Sequence, residues 1–69
     1  MEIGKTPLIR LSDKLYGKLE AVNPGGSIKD RTVKYILDRM DLEEGDTIIE
    51  ATSGNTGISL AMMCAERGL

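Results

Sequence analysis

Histidine, tryptophan and phenylalanine are all missing from this chain of 69 residues, and it has a single cysteine, Cys64. Each absence excludes something. One cysteine cannot form an internal disulfide. Without histidine or a cysteine cluster, no zinc site of a familiar kind fits, so no metal is expected. A nucleophilic triad built on histidine is unsupported as well. The only aromatic residues are Tyr16 and Tyr35, so large aromatic core anchors are lacking. The formal net charge is -2. That argues against nucleic acid as a partner, because such binders show a basic stripe. No apolar run approaches the roughly 20 residues of a membrane span. The start, Met1-Glu2-Ile3-Gly4-Lys5, holds no apolar secretory segment. A cytoplasmic setting is therefore expected, with neither nucleic acid nor membrane as partner.

Residues 1–69 can hold one small domain. A chain this short buries only about 60 % of the surface its unfolded form exposes, so poor independent stability is expected. Gly4-Lys5-Thr6-Pro7 reads as a turn and Leu8-Ile9-Arg10-Leu11 as a short extended piece. After a turn at Ser12-Asp13-Lys14, residues 15–20 alternate weakly, as a strand would. A helix is expected over residues 27–40. Its apolar face is Val33, Ile36, Leu37 and Met40, Ser27 is a candidate N-cap, and Asp30 completes a pattern like a capping box. An acidic stretch, residues 41–46, ends it. Thr47-Ile48-Ile49-Glu50 reads as a buried strand. A second helix is expected over residues 56–67, with Ile58, Ala61, Met62 and Ala65 on one face and Gly68 as C-cap. Met62 and Met63 read as core or near-core filler, and Cys64 as a buried, inert thiol. Strand, helix, strand, helix argues for an α/β layer with parallel strands. In such a layer another strand would follow the second helix, so the chain reads as cut at an element boundary.

Two turns carry the chemistry. The first is Asn23-Pro24-Gly25-Gly26-Ser27-Ile28-Lys29-Asp30-Arg31. Lysine is unfavourable at the positive end of a helix dipole, and Gly25-Gly26 lets backbone approach a ligand closely. A solvated surface lysine is the plain reading. The alternative is a lysine that carries a cofactor as a Schiff base. Asp30 and Arg31 are available to pair with each other or with neighbours. The second turn is Thr52-Ser53-Gly54-Asn55-Thr56-Gly57. Its plain reading is a capped helix start. Four hydrogen-bonding side chains (Thr52, Ser53, Asn55, Thr56) exceed what one cap needs, which favours a cradle for carboxylate or phosphate. Gly-x-Gly-x-x-Gly, the phosphate loop with Gly-Lys-Ser/Thr, and Gly-x-Ser-x-Gly are all absent.

These blocks, with Ile3-Gly4-Lys5-Thr6-Pro7-Leu8-Ile9-Arg10-Leu11, Lys18-Leu19-Glu20 and the extension Glu50-Ala51, resemble the opening of the cysteine synthase (O-acetylserine sulfhydrylase) and cystathionine β-synthase family. Their order and spacing match over nearly the whole chain. The resemblance implies the N-terminal part of a two-domain pyridoxal-phosphate fold of type II, like the tryptophan synthase β chain. It implies pyridoxal 5'-phosphate as cofactor. Lys29 matches the lysine that bonds the cofactor and moves the substrate α-proton, and Asn55 the asparagine at the cofactor's ring hydroxyl. Thr52, Ser53, Gly54, Asn55 and Thr56 match the loop that grips the substrate α-carboxylate. The implied activity is β-replacement, L-cysteine from O-acetylserine and sulfide, by a homodimer. Cystathionine β-synthase or O-phosphoserine sulfhydrylase activity is the alternative within the class. A non-catalytic remnant or anion-binding interaction module is the alternative outside it. The family's phosphate-holding loop and the residue that meets the pyridine nitrogen come later in its sequence and have no counterpart here. The linker at residues 41–44 is also shorter than the family's.

Overall fold

The computed structural model describes residues 1–52 and 54–69. Two strands come first, β1 (Leu8–Ser12) and β2 (Leu15–Lys18), followed by a 3-10 turn at Glu20–Val22. Helix α1 covers Lys29–Asp38 and α2 covers Asn55–Arg67. The result is a small α/β unit, as the sequence pattern predicts. The strands, however, pair antiparallel, with Leu8 opposite Lys18 and Arg10 opposite Tyr16. The connection at Asp13-Lys14 explains why, since only an antiparallel partner can be reached by so tight a turn. A bulge between Arg10 and Ser12 interrupts the register.

Residues 47–50 do not form the expected strand. A strand needs a ladder partner, and among the described residues none lies beside this run. Ile48 packs against the core while Ile49 is 90 % exposed. Strands and helices therefore do not alternate here as the pattern suggests.

The two helices run parallel. Near their starts Ser59 donates to Asp30 at 2.5 Å, and near their ends Arg67 reaches Asp38 at 2.6 Å. The two contacts are spaced by eight residues on α1 and eight on α2, or about 12 Å of helix rise on each. Between them lie the buried apolar residues Val33, Leu37 and Met63, with Ile3, Leu42, Ile48, Leu60 and Met62 packed around them. Among the described elements the hairpin packs on neither helix. The molecule is accordingly drawn out, 48 × 22 × 16 Å, with a radius of gyration of 14.1 Å. A compact chain of this length would have about 11 Å.

On α1 the inward face holds Val33 and Leu37 as expected, but Ile36 and Met40 are about half exposed. On α2 the expected face is only partly the one used: Met62 packs against the core as expected, but the buried line runs one position further on. Ser59 and Met63 are buried, whereas Ile58, Ala61 and Ala65 are exposed. The Ser59 bond to Asp30 turns the helix by one residue, about 100°, from the face its hydropathy favours. Cys64 is half-buried rather than buried. Gly68 closes α2 in the left-handed conformation, φ 72°, where glycine carries no Cβ penalty.

This packing sets a stability test. Leu37→Ala should cost about 2–5 kcal/mol. Ile58→Ala, on a face the sequence pattern would bury, should change stability by no more than about 0.5 kcal/mol. Urea denaturation of the two variants checks this, and equal losses would contradict the observed helix face.

Candidate active site

The chain enters α1 through a turn at residues 23–26, closed by the Gly26 N–H on the Asn23 carbonyl at 2.8 Å. Pro24 fixes the second position of that turn, and Gly26 takes φ 83°, which L side chains rarely adopt. Asn23 is 5 % exposed and fully used. Its Oδ1 accepts from the Gly4 N–H at 2.8 Å, and its Nδ2 donates to the Ser27 carbonyl at 3.0 Å and to Glu20 Oε1 at 3.1 Å. The Ser27 hydroxyl accepts from the Lys29 N–H at 3.2 Å, but the N-cap of α1 is Ile28, one residue later than expected, and it makes no side-chain cap bond. Asp30 does not complete a capping box. Its carboxyl group is wholly buried and accepts from the Gly25 N–H at 2.6 Å and from the Ser59 hydroxyl.

Arg31 turns the other way and does not pair with Asp30. It binds both carboxylate oxygens of Glu20 and donates to the Gly4 carbonyl at 2.8 Å and to Thr6 Oγ1 at 3.3 Å. Buried Thr6 donates its own hydroxyl to Glu20. Arg31 first, then Thr6 and Asn23, hold the Glu20 carboxyl at about 2, below its ordinary 4.5. Glu20 in turn raises the Arg31 guanidinium. This polar knot ties the N-terminal segment and the end of the hairpin to the lysine turn.

Lys29 is the first residue of α1 and Asn55 the first of α2. Because the helices are parallel, both sit at the same end of the pair. That end carries the positive poles of two helix dipoles, a setting that favours an anion. Both residues are exposed. Among the described residues neither the Lys29 ammonium nor the Asn55 amide makes a hydrogen bond, so both remain available to a ligand. Thr56 is half-buried and lies at an apolar groove with Ile36, Ile48 and Leu60. Gly54 precedes α2 in an extended conformation, φ -152°.

Thr52 lies exposed just before α2. Its Oγ1 accepts from the Gly57 N–H at 3.2 Å, and a Cβ on Gly57 would come within 2.6 Å of its methyl group. Thr52 thus satisfies one N–H of the first turn of α2, while the N-cap position is Gly54; of the two caps the sequence suggests, Asn55 is the first residue of the helix instead. Ser53 lies outside the described residues. Among the described residues no group of three or more acidic or cysteine side chains could hold a metal ion, and no helix is long and apolar enough to cross a membrane.

Sequence reasoning missed the depth of Asp30 and its partner Ser59. One signal was present, a serine amid the apolar run Ile58-Ser59-Leu60-Ala61, which needs a partner once buried.

A lysine and an amide presented at one doubly positive end fit an enzyme that holds an anionic cofactor through a lysine. The sequence profile for "Pyridoxal-phosphate dependent enzyme" matches residues 1–69, and the chain belongs to that family. Its cofactor is pyridoxal phosphate. Cysteine synthase B of Campylobacter jejuni is 50 % identical over 97 % of this chain, and that of Pseudomonas aeruginosa 49 % over 96 %. O-ureido-L-serine synthase of Streptomyces lavendulae is 49 % identical over 96 %. The chain spans about a quarter of the length of these curated relatives, 25 %, 26 % and 24 % respectively. No solved structure gives a significant match.

The Glu20–Arg31 knot makes a pH test. The folded-state value of Glu20 lies below its ordinary 4.5, so its contribution is complete above pH 4.5 and is lost as pH falls toward about 2. Glu20→Gln should lower the urea midpoint at pH 7, and the gap to the unaltered protein should close between pH 4.5 and 2. A gap independent of pH would contradict the ion pair.

Proposed function

We propose that this chain forms the lysine-bearing part of a β-replacement enzyme that makes L-cysteine from O-acetylserine and sulfide, with release of acetate. The observation that carries the reading is the shared end of α1 and α2. Lys29 and Asn55, each the first residue of its helix, lie at that end.

In this reading Lys29 Nζ bonds the cofactor and later moves the α-proton of the substrate. The Asn55 amide meets the cofactor's ring hydroxyl. Thr52, Ser53, Gly54, Asn55 and Thr56 receive the substrate α-carboxylate, aided by the N–H groups and dipole of α2. The exposure of Lys29 and Asn55, and the open space around Gly26, fit such a group. Pyridoxal phosphate supplies an electron sink for the α-carbon. The chain's own share is orientation and proton transfer. Its phosphate would be held by residues outside these 69. The enzyme is taken to be a cytoplasmic homodimer.

The nucleophile is the finest point of the proposal. O-ureido-L-serine synthase is as similar to this chain as the cysteine synthases are. Sulfide is favoured because most of the relatives named above are cysteine synthases. Cystathionine β-synthase and O-phosphoserine sulfhydrylase activities use the same residues in this reading. A second reading, a non-catalytic anion-binding module, draws support from the small core, three buried apolar residues among those described.

Titration of the purified protein with pyridoxal phosphate tests the proposal. The expected result is a saturable visible band. Borohydride should fix the label on the peptide that contains Lys29, and Lys29→Ala should abolish it. Label scattered over Lys5, Lys14, Lys18 and Lys34 would overturn the reading and favour the non-catalytic one.

A further inference from the structure

We propose that Asp30 is a positioning residue that registers Lys29 against the Asn55 turn. The inference rests on the reading of Lys29 as the cofactor's lysine.

Asp30 follows Lys29 directly and has no solvent exposure. Each carboxyl oxygen has one task. Oδ2 accepts from the Gly25 N–H at 2.6 Å, and Oδ1 accepts from the Ser59 hydroxyl at 2.5 Å. Neither bond caps the helix to which Asp30 belongs. An acidic side chain in a first turn is already favourable when left in solvent. Burying it costs solvation, and a well-packed apolar side chain often serves stability as well or better. Geometry is what this burial supplies.

Three backbone points meet on this one side chain. Gly25 lies in the turn before Lys29, Asp30 is its neighbour, and Ser59 sits one helical turn beyond Asn55. Gly25 is shaped to the arrangement. A Cβ there would fall 2.2 Å from Asp30 Oδ1, so the space a side chain would occupy is taken by the carboxyl group. The glycine that the sequence suggests for ligand approach thus makes room for Asp30. The other polar tie between the helices, Arg67 to Asp38, is about 12 Å away along the axis. It is also partly exposed, at 30 % and 38 %. It cannot set the spacing at the lysine end. Asp30 therefore fixes where the backbones of Lys29 and Asn55 stand, while the Lys29 side chain stays free to move.

Asp30→Ala, Asp30→Asn and Ser59→Ala form the test, each with two readouts. The first needs no cofactor: amide hydrogen exchange at Gly25. Asp30→Ala should speed it at least about tenfold by removing the acceptor. Asp30→Asn should leave it near the original value, because the amide oxygen still accepts from Gly25 and its NH2 can donate to Ser59. The second is the fraction of borohydride-fixed pyridoxal phosphate found on Lys29 rather than on other lysines. That fraction should fall several-fold in Asp30→Ala and in Ser59→Ala, and be rescued in Asp30→Asn. If Asp30→Ala does not fold, Ser59→Ala against Asp30→Asn still decides. Label on Lys29 undiminished in Ser59→Ala would overturn this inference alone. No Lys29 label in the unaltered protein would overturn the reading of Lys29 and this inference with it.

Discussion

The buried carboxyl group of Asp30 is the contact on which the helical part of this structure depends. It joins a turn, the start of α1 and the second turn of α2 in one place. Hydrogen bonds to such a group are worth about 1.5–3 kcal/mol each when it is ionised. Its effect on arrangement exceeds its effect on stability. Because Ser59 must face Asp30, α2 is rotated away from its hydropathic face, and Met63 becomes the residue that meets Val33 and Leu37. Leaving Ile58 exposed is a consequence of the same rotation.

The second organising element is polar too. Glu20, Asn23, Thr6 and Arg31 bind the N-terminal segment, whose Ile3 also packs against the core, to the lysine turn. The hairpin and the helix pair are thus connected through hydrogen bonds rather than through packing. Such networks hold geometry well because each buried group must keep its partner or lose its solvation. They add little apolar burial, which accords with the drawn-out shape.

These two elements meet at residues 23–31. On one side Asn23 and Arg31 anchor the turn to the hairpin, and on the other Asp30 anchors it to α2. Lys29 lies between the two anchors and uses neither. A lysine held at its backbone and free at its ammonium suits covalent chemistry, since the amine must reach, bond and release a ligand while its base stays in place. The parallel helices add two positive dipole ends at that spot.

How much was legible in the sequence depends on the range of the interaction. The turn at residues 23–26, the Gly68 cap and both helices, whose ends fall within two residues of those expected, follow from local rules. Lys29 and the Thr52–Thr56 motif could be nominated as site candidates because they lie in short contiguous motifs whose spacing is the signal. By itself the sequence determined these local elements and the pyridoxal-phosphate family. The tertiary structure alone decided which face of α2 is buried, where Asp30 and Arg31 direct their side chains, and that residues 47–50 stay unpaired. The reason is physical. A helix start is set by neighbours within a few residues, whereas the partner of a buried carboxyl group 29 positions away, or of a strand edge, exists only once the chain has folded.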